Sequence, residues 1–276
     1  MCSKVIFISG ASSGIGFDTA IRLARQGHII YGAARRTDKL KALEKEGIKT
    51  LHLDVTDSDS CRSAINTVIK EQGRVDVLVN NAGYGSLGAI ENVSMEEARR
   101  QIDVNLFGLS ELTRLVLPQM REQGGGKIIN ISSVAGRMVI NFGAWYNVSK
   151  YAVEAFSDAL RIEAKPFGID VVLIEPGGIG TDWGFIAADH LEQSSRGSVY
   201  EQSAHNMADT FRKAYGAPWM SRPSVVSKAI VKAIKAKRPR TRYLVGLGAR
   251  SIVFFHAILP TRWWDAMMRS FSKIRL

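Results

Sequence analysis

Cysteine and histidine are scarce in this sequence. Two cysteines, Cys2 and Cys61, occur in 276 residues, which gives no disulfide framework and no thiolate metal spacing. The five histidines stand singly along the chain, so no metal centre is expected. Low-complexity tracts and repeats of fixed period are missing. Long hydrophobic runs are missing too. The most apolar late stretch, "SIVFFHAILP" at 251–260, is far too short to span a bilayer. The early run in "SKVIFISG" is cut by glycine too soon for a secretory signal. Together these absences point to a reducing, cytoplasmic setting.

What is present suits a large folded core. Hydrophobic residues make up 46% of the chain, and the length fits one α/β domain over residues 1–276. The net charge of +11 would suit nucleic acid, anionic lipid or a polyanionic cofactor. Apart from "KAKRPRTR" near 235–242 it is spread along the chain. No recognition helix, zinc motif or basic-aromatic motif supports a nucleic-acid partner.

Short β-branched runs alternate with helical patterns. Strands are expected at "KVIFIS", "HIIYGA", "IKTLHL", "VDVLVN", "GKIINI", "IDVVLIE" and "RYLVG", and helices from near Ile15, Thr37, Asp57, Ser94, Tyr146 and Pro223. Strands apolar on both faces and joined by helices predict a doubly wound parallel sheet, the Rossmann-type α/β architecture. Two stretches break the alternation. Residues 180–220 read as a polar, irregular, variable segment, and residues 249–276 form an aromatic, basic extension.

The first strand runs into "SGASSGIG" and then a helix. Gly10, Gly14 and Gly16 permit a tight turn and a close approach of backbone to a pyrophosphate, which the positive helix end would face. The loop residues Ser12, Ser13 and Ile15 share that position. The second strand ends "GAARR". A carboxylate there would hold a ribose 2′-hydroxyl, but the chain has Ala34 followed by Arg35 and Arg36, and guanidinium groups suit a 2′-phosphate. NADP(H) is therefore the expected cofactor. Further on, Tyr146 and Lys150 stand four residues apart at the start of the helix "NVSKYAVEAFSDALRIEAK", so a phenol and an ammonium share one face.

"SGASSGIG", "LDVTD", "NNAG", "DVNLFG", "INISS", Tyr146-x-x-x-Lys150 and "EPGGIGT" occur in order over about residues 4–182. In this the chain resembles the short-chain dehydrogenase/reductase family, in its standard single-domain branch. The resemblance implies a seven-stranded sheet in the order 3-2-1-4-5-6-7, and hydride transfer between NAD(P) and a carbonyl or alcohol. It also implies roles for residues. Tyr146 is the acid/base, with Lys150 expected to lower its pKa toward the working range. Ser133, rather than neighbouring Ser132, would donate to the substrate oxygen. Asn105 would help hold a water in a proton relay to the lysine, although a buried backbone hydrogen bond would also explain it. Asp54 and Val55 fall at the adenine. Asn81, Ala82 and Gly83 follow the fourth strand where the cofactor crosses, whereas Asn80 there may equally tie strands together. Pro176, Gly177, Ile179 and Thr181 match the nicotinamide segment. Ser13 departs from a frequent NADP pattern, in which a basic residue sits in the loop, so selectivity would rest on Arg35 and Arg36.

The substrate is less defined. Val139, Phe142 and Trp145 before the tyrosine, with Trp183, Phe185 and Ile186 after the last motif, suggest an apolar lining for a hydrophobic ketone or secondary alcohol. In this the chain is similar to family members acting on steroids, retinoids and lipid ketones. A reductase of small or acyl-chain ketones and a non-catalytic NADP-sensing protein are the alternatives. A homodimer or homotetramer is expected. Phe254, Phe255, Trp263, Trp264, Met267, Met268 and Phe271 are too much apolar area to leave in water. They are expected to fold back near 180–220 or to pair with a second subunit, with peripheral membrane contact through the arginines as the alternative.

Overall fold

The computed structural model describes residues 3–272, the side chains of the last two excepted. Cys2, the Phe271 side chain and residues 273–276 lie outside them. Strands β1 (Val5–Ser9), β2 (Ile29–Ala34), β3 (Lys49–His52), β4 (Val77–Asn80), β5 (Gly126–Ile131), β6 (Ile169–Pro176) and β7 (Arg242–Val245) form one sheet. Its order is β3-β2-β1-β4-β5-β6-β7, and each neighbouring pair is parallel.

Every residue of β1 and β4 is buried, because helices cover both faces. On one face Ile6, Ile8, Val79 and Ile174 pack against α1 (Gly14–Ala24), α2 (Thr37–Glu44) and α9 (Pro223–Lys235). On the other, Phe7, Leu78 and Ile128 meet α3 (Ser58–Gln72), α5 (Gly108–Glu122) and the far end of α6 (Ala144–Ala164). Alternation along each strand divides its side chains between these two layers.

Helix starts follow local chemistry. The Asp57 side chain accepts from the Asp59 and Ser60 amides to cap α3, and Ser94 accepts from the Glu97 amide to cap α4 (Met95–Ile102). Pro223 opens α9, where its missing N–H costs nothing. Between α4 and α5 lies a π-helical turn, Asp103–Phe107. It swings the chain around Asn105.

Residues 180–220 are not the irregular segment that their polarity suggests. They hold α7 (Trp183–Ser195) and α8 (Glu201–Tyr215), packed on one another. Ala204, Met207, Ala208 and Phe211 recur at three- and four-residue steps and face Ala187, Ala188 and Leu191. Charged residues between them hide this periodicity in the sequence.

The extension forms α10 (Ala249–Ile258) and α11 (Thr261–Ser272). Helix α11 lies against α8, and α10 against β7 and the short 3-10 turn Val134–Gly136. Trp264 is buried, with its ring 4.8 Å from that of His256. The extension therefore folds back beside the 180–220 segment, as its composition suggests, yet Phe254, Phe255 and Trp263 remain exposed.

Candidate active site

A cavity of about 610 Å³ opens along the carboxyl ends of the strands, where doubly wound sheets bind ligands. At one end it is walled by Gly10, Ser12, Ser13, Gly14 and Ile15. Gly10 and Gly14 have φ of 69° and 57°, which glycine adopts without strain. A Cβ on Gly10 would come within 2.8 Å of the Ala82 Cα. No side chain caps the first turn of α1 at Ser13, and Ser13, Gly14 and Ile15 line the cavity, so the uncapped positive helix end lies at its wall. Gly16 does not line the cavity. It lets α1 approach the loop, since a Cβ there would lie 2.5 Å from the Gly10 carbonyl oxygen.

Ala34, Arg35 and Arg36 border the same end. The Arg36 guanidinium donates to the Ser12 and Ser13 hydroxyls, at 3.2 and 3.3 Å. Asp54 and Val55 sit beside them. Burial opposes the Asp54 charge, but hydrogen bonds from the Thr56 amide and hydroxyl and the nearby Arg35 prevail, and its pKa is lowered. Asn81, Ala82 and Gly83 border the middle of the cavity. Asn81 donates its amide group to the carbonyls of Ser9 and Gly10, which fixes the glycine loop. Asn80 is instead buried between strands and helix, donating to Asn130 and Thr113 at 2.9 and 3.1 Å. It ties the fold together.

At the other end Ser133, Tyr146 and Lys150 converge beside Pro176, Gly177, Ile179 and Thr181. The Ser133 hydroxyl lies against the Tyr146 phenol and favours its ionised form. The Ser132 hydroxyl faces the other way, toward Glu154 and Gly136. The expectation that Lys150 brings the phenol's pKa down toward neutrality is not met. Burial dominates and pushes Tyr146 up to about 12, with Ser133 opposing. Burial also lowers Lys150 to about 8, with Glu154 opposing. The ammonium donates to the Ile131 carbonyl at 3.0 Å and lies 5.9 Å from the Tyr146 ring centroid. Desolvation of both groups outweighs their mutual field.

Asn105 does not border the cavity with the others. Its side chain accepts from the Tyr84 amide at 3.0 Å and donates to the Tyr84 carbonyl and the Ser149 hydroxyl at 2.9 and 3.0 Å. That spends the amide on backbone and helix anchoring.

Aromatic rings wall the remaining space. Trp183 lies 5.0 Å from Tyr146, centroid to centroid, and 5.8 Å from Tyr215, which in turn lies 5.8 Å from Phe211. Ile140, Ile186 and His190 complete this side. Val139 and Phe185 are instead exposed, and Phe142 packs against Tyr200 and the α7–α8 layer. Neither they nor Trp145 border the cavity. Phe211 and Tyr215 escape a sequence reading that takes 180–220 as irregular. Their four-residue spacing is the signal that would have found them. Tyr84 and Arg100 also line the cavity, and no motif marks them.

The model for short chain dehydrogenases matches residues 4–188. A 3-ketodihydrosphingosine reductase from Bacteroides thetaiotaomicron is 40% identical over 282 aligned residues, covering 100% of both chains. Among solved structures, a short-chain dehydrogenase from Streptomyces avermitilis shares 32% identity, with a TM-score of 0.80, over 99% of this chain and 97% of its own. An actinorhodin polyketide ketoreductase variant with NADPH shares 31% identity, with a TM-score of 0.73, over 87% of this chain and 94% of its own.

Proposed function

From its membership of the short-chain dehydrogenase/reductase family of oxidoreductases, we propose that this protein uses NADP(H) to reduce a long-chain, lipid-like ketone to a secondary alcohol, or to run the reverse reaction. The observation that carries this reading is a continuous cavity with a guanidinium-flanked glycine loop at one end and a phenol under a wall of aromatic rings at the other.

The residues fit a phosphorylated dinucleotide. Gly10, Gly14 and the first turn of α1 take the pyrophosphate on backbone amides. Arg35 and Arg36, with the Ser12 and Ser13 hydroxyls, hold a 2′-phosphate, and Ala34 brings no opposing charge. Asp54 and Val55 would border the adenine, and Ile179 and Thr181 the nicotinamide. When bound, the reduced nicotinamide supplies a hydride to the carbonyl carbon.

The chain's own residues manage the proton. Ser133 donates a hydrogen bond to the carbonyl oxygen, where negative charge develops, and holds the carbonyl in place. Tyr146 transfers its phenolic proton to that oxygen and is left as phenolate, to be reprotonated from solvent. A phenol held at about 12 is fully protonated near neutral pH, so the site is loaded as a donor. Lys150, as a cation, stabilises the phenolate that forms, and it would also hold the ribose of the bound cofactor. Trp183, Phe211 and Tyr215 exclude water and accept a hydrophobic chain. The full-length similarity to a reductase whose name specifies a long-chain ketone supports this substrate class.

The test is NADPH oxidation by purified protein with long-chain 3-keto amino alcohols, steroid ketones and short polar ketones. Long-chain ketones should turn over with the highest kcat/KM. Tyr146→Phe should lower kcat by about 10²–10⁴ and leave NADPH binding in place. A preference for short polar ketones, or full activity in the phenylalanine variant, would refute the reading.

A further inference from the structure

We propose that the α10–α11 hairpin is a docking face for the anionic surface of a lipid bilayer. In α10 the face formed by Ser251, Phe254, Phe255 and Ile258 follows helical three- and four-residue spacing, yet these residues point to solvent. The opposite face, with Ala249 buried, packs inward. Phe254 is 60% exposed and Trp263, across the turn on α11, is 69% exposed. The stripe is thus turned outward, although the same hairpin buries Trp264. Large apolar side chains gathered at the surface mark an interaction site.

Charge selects the occupant. Residues 249–276 carry five Lys and Arg against one acid, Asp265, and Arg250 and Arg262 are exposed beside the apolar stripe. Aromatic rings flanked by arginines match the interface of a bilayer with anionic lipid. A second copy fits less well. A two-fold interface sets the same patch against itself, so the arginine-rimmed stripes of two +11 chains would bring like charges together. Among the described residues no helix is long and apolar enough to cross a membrane, so the contact is peripheral.

The hairpin also sits where such contact would be useful. Helix α10 starts just beyond the carboxyl end of β7, the same end of the sheet as the cavity. Helix α11 packs on α8, which contributes Phe211 and Tyr215 to the cavity wall. The Asn141 side-chain amide, next to the cavity residue Ile140, donates to the Met268 carbonyl at 2.7 Å. A bilayer held against this face lies beside the aromatic end of the cavity.

Flotation with vesicles tests the proposal without reading turnover, so its result is independent of the catalytic assignment. Wild-type protein should float with vesicles of phosphatidylcholine and phosphatidylglycerol in equal parts, and should float less with phosphatidylcholine alone. The triple variant Phe254→Ser, Phe255→Ser, Trp263→Ser should bind the anionic vesicles about tenfold more weakly or worse. Arg250→Glu with Arg262→Glu should lose the preference for anionic lipid. Both variants should melt within a few degrees of wild type, since the exchanged side chains are exposed. Three outcomes would overturn the proposal. They are wild-type protein that stays at the bottom with both vesicles, a triple variant that floats like wild type, and a dimer in sedimentation that depends on these aromatics without any flotation.

Discussion

Lys150 is a largely buried cation at the wall of the cavity. Burial holds its pKa down to about 8, below the free value of 10.5. Between those values the unfolded chain binds more protons than the folded one, so this group makes stability rise with pH across that window. Below about 8 the cost of burying the charge is paid in full. Lys150→Met should therefore raise stability at neutral pH by about 1–3 kcal/mol, less what the Ile131 carbonyl loses, while turnover collapses. Thermal melts paired with NADPH assays would show it, and a lower midpoint would refute it. Tyr146 carries the opposite consequence. With the phenol held at about 12 and the Lys150 charge lost above about 8, carbonyl reduction should stay level from about pH 6 to 7 and then fall, whereas alcohol oxidation, which needs the phenolate, should climb with pH. Initial rates in both directions would check this, and a level oxidative profile would contradict it. The four-residue spacing of Tyr146 and Lys150 was readable as a shared helical face. The balance between their mutual field and their desolvation was not, because burial depends on Trp183 and other residues remote in sequence. Asn105 teaches the same lesson: its motif is plain in the chain, but the partners of its amide appear only once the Tyr84 loop is placed.

At the scale of elements, the end of β2 and the glycine loop act together. Arg36 reaches across to Ser12 and Ser13, so the proposed use of NADP(H) should depend on this pair of segments. Ala34→Asp with Arg35→Ile should shift the NADPH-to-NADH affinity ratio by about tenfold or more toward NADH, the worth of a charge-assisted contact. Cofactor titration followed by fluorescence would measure it, and an unchanged ratio would refute it. Strands and most helices were legible because apolar runs, caps and glycines mark them locally. Helices α7 and α8 were not, since their apolar face is small and built largely of alanine. These two helices nevertheless wall the cavity with Trp183, Phe211 and Tyr215. Phe211→Ala should raise KM for long-chain ketones several-fold and change KM for short ketones little, because the removed ring contributes only contact area. Steady-state kinetics across chain lengths would test this, and equal changes for both classes would contradict it.

Across the whole molecule, β7 is locked to α6 and β6 by a buried charge cluster. Glu175 is fully buried and Glu154 nearly so. The Arg242 Nε lies 3.0 Å from one carboxylate and 3.2 Å from the other, while Arg137 approaches Glu175 at 3.2 Å. Asp158 accepts from Arg242 at 2.6 Å and from Arg161 at 2.8 Å. Burial, helped by Glu175, lifts the Glu154 pKa well above the usual carboxylate range despite Ser132 and Arg242. A raised folded value means that Glu154 favours folding at low pH, and that this contribution is lost as pH rises through it. Arg242→Leu should therefore cost about 3–5 kcal/mol near pH 8 and markedly less near pH 5, where the stranded Glu154 can take up a proton. Denaturant melts at both pH values would decide it, and an equal loss at both would refute the account.

The parallel order of the sheet also has a history in time. No two neighbouring strands are joined by a hairpin, so each pairing must wait for a whole crossover to be made. β1, which waits for β4, and β6, which waits for β7, have the two longest intervals. The outer edge of β6, from Leu173 to Pro176, is covered only by residues 242–245, which leave the ribosome after the whole of α7, α8 and α9. For that interval the nascent chain carries a bare strand edge, with Glu175 still lacking its partner Arg242, the kind of edge that invites pairing with another chain. Chaperone demand during synthesis should thus stay raised from the emergence of β6 until that of β7.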